Sequence, residues 1–240
     1  MLTLAIESST TTVGCALGDD DGPIIVHEVQ RGRRHAELLA PAIEFLCAQA
    51  EVEIGAIGSV VADVGPGLFT GLRVGLATAR MLAQMLGTEM VAVSSLDVLA
   101  AAACDGERTT VSVIDARRNE VFVNLYRPAR TDGNEPESLG APRCMTPTDL
   151  VAELRARGER LTLAGDGAVR YFDAIAAEVP GVSPPTITFP PVATLLALGT
   201  ARALRGLSVH HEAARPLYLR EPDAQISWAT RTGRYTEPAS

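Results

Sequence analysis

Lysine is missing altogether: the 240 residues carry 21 basic side chains, and every one is arginine. That absence excludes a Walker lysine, a Schiff base and a Ser-Lys dyad. The four cysteines, Cys15, Cys47, Cys104 and Cys144, form no C-x-x-C pair. A zinc site and a redox dithiol are therefore unsupported, and a reduced compartment is expected. None of the four histidines has a partner at i+4, so no helical metal pair is expected. Ser8, Ser9, Ser94 and Ser95 lack a G-x-S-x-G elbow, which argues against a serine hydrolase. No apolar run is long enough to span a bilayer, and the N-terminus has no basic segment followed by an apolar core. A mature, cytoplasmic, membrane-free protein is the expectation. The net charge of −8 argues against an independent grip on nucleic acid. What remains is 47% apolar, the composition of a well-buried α/β chain.

The pattern along the chain is duplicated. Thr3–Glu7 reads as a strand ending in an acid, and a second strand begins at Val13 after five polar residues. Thr110–Asp115 repeats this: a strand ends in an acid, and the next strand begins at Val121 with the same spacing. Between and beyond these hairpins the apolar periodicity predicts helices over residues 34–49, 71–86, 95–103, 147–157, 169–177 and 192–205. Thr146 and Pro147 are suited to N-cap and N1 of the fourth. Two hairpin-led α/β units describe the two-lobed actin, hexokinase and Hsp70-like fold. The expected division is residues 1–105 and 106–205 for the lobes, with 206–240 as a partly flexible tail.

The stretch "DVGPGLFTGLRVG" (63–75) asks whether it cradles a phosphate. Five residues separate Gly65 from Gly71, one too many for a P-loop, and the spacing G-x-G-x-x-x-G is not the dinucleotide fingerprint. A tight glycine turn is favoured over an anion site at the following helix N-terminus. Gly71, Gly75, Ala79 and Ala83 recur every four residues, stripping one helix face of bulk. That face suits close packing on the chain's own sheet or first helix, or on a second subunit. Glu7 and Asp115, at the hairpin ends, suit either turn stabilisation or a metal–nucleotide complex. A small ATPase or kinase built on them is the enzyme alternative.

Five segments, "LAIESST", "GPGLFTGLRVG", "VSSLDVLA", "VIDARRNEVFV" and "PLYLREPDA", together resemble the bacterial TsaB (YeaZ) family, in the family's order and over nearly the whole chain. The resemblance implies a non-catalytic subunit of the machinery that forms N6-threonylcarbamoyladenosine (t6A) at position 37 of tRNAs reading ANN codons. Its partners would be the catalytic paralogue TsaD and the ATPase TsaE, with tRNA met only through the complex and a homodimer formed in isolation. It implies no cofactor of its own, ATP and a metal ion being used by the partners. "SSLDV" (94–98) stands where the catalytic paralogue carries two histidines, so metal ligands and peptidase chemistry are not expected. The family's helical interface carries over to His35, Leu38, Leu39, Ala42, Gly71, Val74, Gly75, Thr78 and Leu82. A weak nucleotide or anion contact would fall on Glu7, Ser9, Gly65, Gly67, Thr70 and Asp115.

Overall fold

The computed structural model describes residues 1–30, 35–127, 135 and 137–220. The first unit runs β1 (Thr3–Glu7), β2 (Val13–Asp19), β3 (Gly22–Val29), α1 (His35–Gln49), β4 (Ser59–Asp63), α2 (Phe69–Leu86), β5 (Met90–Val93) and α3 (Ser95–Ala103). The second runs β6 (Thr109–Arg117), β7 (Glu120–Tyr126), β8 (Arg143–Met145), α4 (Pro147–Arg157), β9 (Leu161–Ala164), α5 (Asp166–Arg170) and α6 (Phe172–Glu178). A last helix, α7, spans Val192–Leu204. The sheets are ordered β3-β2-β1-β4-β5 and β8-β7-β6-β9. In each, a hairpin's first strand also pairs in parallel with a later strand, β1 with β4 and β6 with β9. The repeated order is the structural form of the repeated acid-to-valine spacing, and it makes the chain a duplicated, two-lobed actin-like α/β protein.

Burial follows strand alternation. Leu4 and Ile6 of β1 face a core closed by α1 and α2, while Ala5 faces the opposite layer. A strand covered on both faces must be apolar throughout, which is why β1 and β4 read as short unbroken apolar runs. The helix ends carry the expected chemistry. Ser94 caps α3 by accepting from the Leu96 amide at 3.2 Å. Thr146 caps α4 by accepting from the Asp149 amide at 3.1 Å, and Gly87 ends α2 in the left-handed region at φ 64°. Among the described residues no helix is long and apolar enough to cross a membrane.

Three elements depart from the sequence reading. The helix expected over 169–177 is broken at Tyr171 (φ −107°) into α5 and α6. The three-residue strand β8 is too short to show a period. Most consequential is α7, which leaves the second lobe and packs on the first sheet, where Val192, Leu195 and Leu196 meet Ala5, Ala16, Val61 and Val91. The second lobe therefore does not extend to 205. Gly199 lets α7 lie directly on Val61, whose methyls occupy the space a Cβ would need. Gly199→Leu is expected to cost about 3 kcal/mol through overpacking, read as a lowered urea midpoint with an unchanged slope. Of the tail, residues 207–220 pack on the body, and 221–240 lie outside the described residues.

Candidate functional site

Glu7 ends β1 and Asp63 ends β4, two neighbouring parallel strands in register at Ile6 and Ala62. The two acids therefore project side by side, and both are buried, at 0% and 2% exposure. Glu7 Oε1 accepts from the Ser9 amide at 2.7 Å and the Ser9 hydroxyl at 2.6 Å. Asp63 Oδ1 accepts from the Gly65 amide at 2.6 Å and the Ser95 hydroxyl at 2.7 Å. The remaining oxygens, Glu7 Oε2 and Asp63 Oδ2, are buried with no other donor to serve them. Two ionised carboxylates side by side in this setting are opposed by desolvation and by their like charge. Burial, and then the neighbouring Asp63 charge, push Glu7 well above the usual carboxylate range, and burial raises Asp63 as well. Through these hydrogen bonds the pair ties together four segments: the ends of β1 and β4, the glycine loop and the start of α3.

The glycine loop closes over this pair. Gly65 has φ 94°, and the Leu68 amide donates to Ser9 O at 2.6 Å. At Gly67 a Cβ would overlap the Ser9 carbonyl, and at Gly75 it would overlap Ser8 Oγ, which itself donates to Gly71 O at 2.9 Å. The turn after β1 and the start of α2 are thus in direct contact.

The second lobe repeats the arrangement with different chemistry. The Asp115 amide donates to Asp166 Oδ1 at 2.9 Å, and Gly167 lies against the Asp115 backbone. The Asp115 carboxylate is held by Arg170 at 2.7 Å and Arg117 at 2.9 Å. Burial raises Asp166. The hairpin turn places Arg117, Arg118 and Asn119 at positive φ.

The nucleotide or anion set expected from sequence is divided between the two lobes, with internal hydrogen bonds or ion pairs to Glu7, Ser9 and Asp115. Glu7 and Ser9 serve the first and Asp115 the second; Gly65 and Gly67 shape the loop, and Thr70 stands exposed on the first turn of α2. The interface set also divides. Leu39, Ala42, Gly71, Gly75 and Leu82 are buried within the chain, while Leu38, Val74 and Thr78 are half-buried. Nothing is described of the His35 side chain, which lies outside the described residues. The small-residue face of α2 is used on the chain's own sheet. What these packed helices present outward is Phe45 of α1 (47% exposed) and Met81 and Met85 of α2 (56% and 72%). The side chains of Met81 and Met85 stand one turn apart on α2, forming an apolar ridge with Ala77.

Sequence reasoning missed Asp63, Asp166, Arg170 and the two methionines. A usable signal existed for Asp63: "SVVAD" (59–63), like "TLAIE" (3–7), is a buried strand closed by an acid.

The family model described as TsaD: tRNA N6-adenosine threonylcarbamoyltransferase matches residues 26–228. The uncharacterized protein ML0378 of Mycobacterium leprae is 33% identical over 231 residues, which cover 93% of this chain and 56% of that protein. The tRNA threonylcarbamoyladenosine biosynthesis protein TsaB of Bacillus subtilis is 33% identical over 127 residues, 53% of this chain and 56% of that one. The Escherichia coli protein of the same name is 26% identical over 241 residues, 98% of this chain and 100% of that one. The chain thus spans about half the length of the first two and the whole of the third. Among solved structures, a Pseudomonas aeruginosa protein described as similar to peptidase YEAZ superposes with TM-score 0.79 at 28% identity, covering 91% of this chain and 99% of that one.

Proposed function

This chain belongs to the TsaB (YeaZ) family, within the wider family of tRNA N6-adenosine threonylcarbamoyltransferases, and on that premise we propose that it is a non-catalytic subunit in t6A biosynthesis. It acts in the cytoplasm as a scaffold, binding and stabilising TsaD, helping to recruit TsaE, and meeting tRNA only through the complex. In isolation the same surface pairs two copies of the chain. The observation that carries this reading is the state of the hairpin acids. In a catalytic actin-like cleft such groups must be open to a metal–nucleotide complex. Here Glu7 is fully buried beside Asp63, with Ser9 donating to it, and Asp115 is paired with two arginines.

The outward ridge of α2 supplies the docking surface. Exposed methionines adapt to an apolar partner helix and lose little on being covered. Met81→Glu with Met85→Glu is expected to weaken association with TsaD by roughly thirtyfold or more, the scale of a lost interface anchor. Both side chains are exposed, so circular dichroism and the thermal midpoint should stay at wild-type values. Association measured by calorimetry at wild-type strength in this variant would place the docking surface elsewhere. The function itself is tested in a strain depleted of its own TsaB, where this chain should restore t6A in bulk tRNA. A strain still lacking t6A despite soluble expression of the chain would contradict the assignment.

A further inference from the structure

After α7 the chain does not leave the body. Val209 and Met90 exchange two backbone hydrogen bonds (3.0 and 2.8 Å) at the free edge of the first sheet, and Ala214 is buried in the first core. Shortly after, residues Pro216–Arg220 run from one lobe to the other. The Leu217 amide donates to Val64 O at 2.7 Å, just beyond the end of β4. The Tyr218 ring lies 5.3 Å from that of Phe69 on the first turn of α2, and its hydroxyl accepts from Arg73 Nε at 3.1 Å. Arg73 in turn lies 3.7 Å above the Phe69 ring. Leu219 then enters the apolar cluster where Leu96 and Leu99 of α3 meet Ile114, Ala116 and Phe122 of the second sheet. Arg220 ends the crossing on Glu120 at 2.7 Å, at the start of β7.

We propose that Pro216–Arg220 is a clasp, holding the first turn of α2 and the β6–β7 hairpin in one fixed relation across the mouth between the lobes. The segment connects the C-terminal ends of the parallel strands in both sheets, the side on which a two-lobed fold of this kind would open. A second inter-lobe tie runs through α7 and α3: Arg202 of α7 donates to Ala92 O at 3.0 Å and pairs with Asp97 of α3 at 2.8 Å, and Asp97 accepts from Tyr126 of the second sheet at 2.7 Å. Two ties between the lobes restrain their relative motion, which suits a scaffold better than a cleft that cycles. Leu219 supplies the apolar plug, Tyr218 the grip on α2, and Arg220 the polar end.

The test uses hydrogen exchange on the intact chain. Leu219→Asp, which puts a charge into the inter-lobe cluster, should speed exchange at least threefold in both the first turn of α2 and the β6–β7 hairpin. Small-angle scattering should show a larger radius of gyration. The surface variant Arg220→Glu, which leaves the cores untouched, should give the same paired acceleration in weaker form, and Arg220→Glu with Glu120→Arg should reverse it. Acceleration confined to one of the two regions, or none with Arg220→Glu, would overturn the clasp, as would a charge-swapped pair no slower than Arg220→Glu alone.

Discussion

Gly75→Leu is expected to destabilise the chain by about 3 kcal/mol, near the upper end of overpacking costs, and to leave much of it insoluble. The effect arises inside the monomer. A Cβ at Gly75 meets the Ser8 hydroxyl and its Cβ, with Ile6 just behind, and the Ser8 hydroxyl is engaged with Gly71 O. Helix α2 would have to lift from the sheet, dragging the loop that covers Glu7 and Asp63. The smaller change Gly75→Ala separates this origin from a lost subunit contact. Its cost in urea denaturation should be partly recovered by Ser8→Gly, which removes the atoms in the way. Additive costs in the double variant would show that Gly75 and Ser8 do not compete for the same space.

The second large effect is on pH dependence. The raised folded-state carboxyls of Glu7 and Asp63 mean that the native chain binds a proton the unfolded chain does not. Their contribution is fully present below the ordinary carboxylate range and is lost as pH rises through the folded values, the reverse of an acid held ionised by an arginine. Above the ordinary range, stability should fall with pH by up to about 1.4 kcal/mol per unit for one proton. Glu7→Gln supplies a permanent N–H toward Asp63 and cannot ionise. It should flatten this dependence and be more stable than the wild type at the alkaline end. Urea midpoints from pH 4 to 9 provide the check; equal slopes for wild type and Glu7→Gln would mean the pair holds no proton. Asp63→Ala, by contrast, strands the Gly65 amide and the Ser95 hydroxyl and should lose stability at every pH.

The architecture was readable because it is written in local signals. Acid-ended strands with matching spacing marked the two lobes, and Ser94, Thr146 and Pro147 marked helix starts through chemistry that acts within one turn. The candidate site was less readable because its geometry is non-local. Only the parallel pairing of β1 with β4 sets Glu7 beside Asp63, across 56 positions of sequence, and only β9 beside β6 brings Arg170 to Asp115. Helix α2 shows the same limit. A row of small residues announces a close approach, and Gly71, Gly75, Ala79 and Ala83 do make one. The pattern carries no label for what approaches, and at Gly75 it is the chain's own first strand and turn, Ile6 and Ser8. The outward side, with Met81 and Met85, is recognisable only once the inward side has been used. Similarly, α7 follows the second lobe in sequence, yet its apolar stripe fits the first sheet, a choice that local periodicity cannot express.

The central claim is that this chain contributes a docking surface and no chemistry to t6A formation. It is tested most directly by reconstituting the reaction with TsaD, TsaE, the threonylcarbamoyl donor and tRNA, and measuring t6A by mass spectrometry with variants of this chain. Glu7→Gln with Asp115→Asn should support wild-type yield, while Met81→Glu with Met85→Glu should reduce it to the level seen without the chain. A full yield from the methionine variant together with a lost yield from a folded acid variant would contradict the account and make the hairpin acids catalytic.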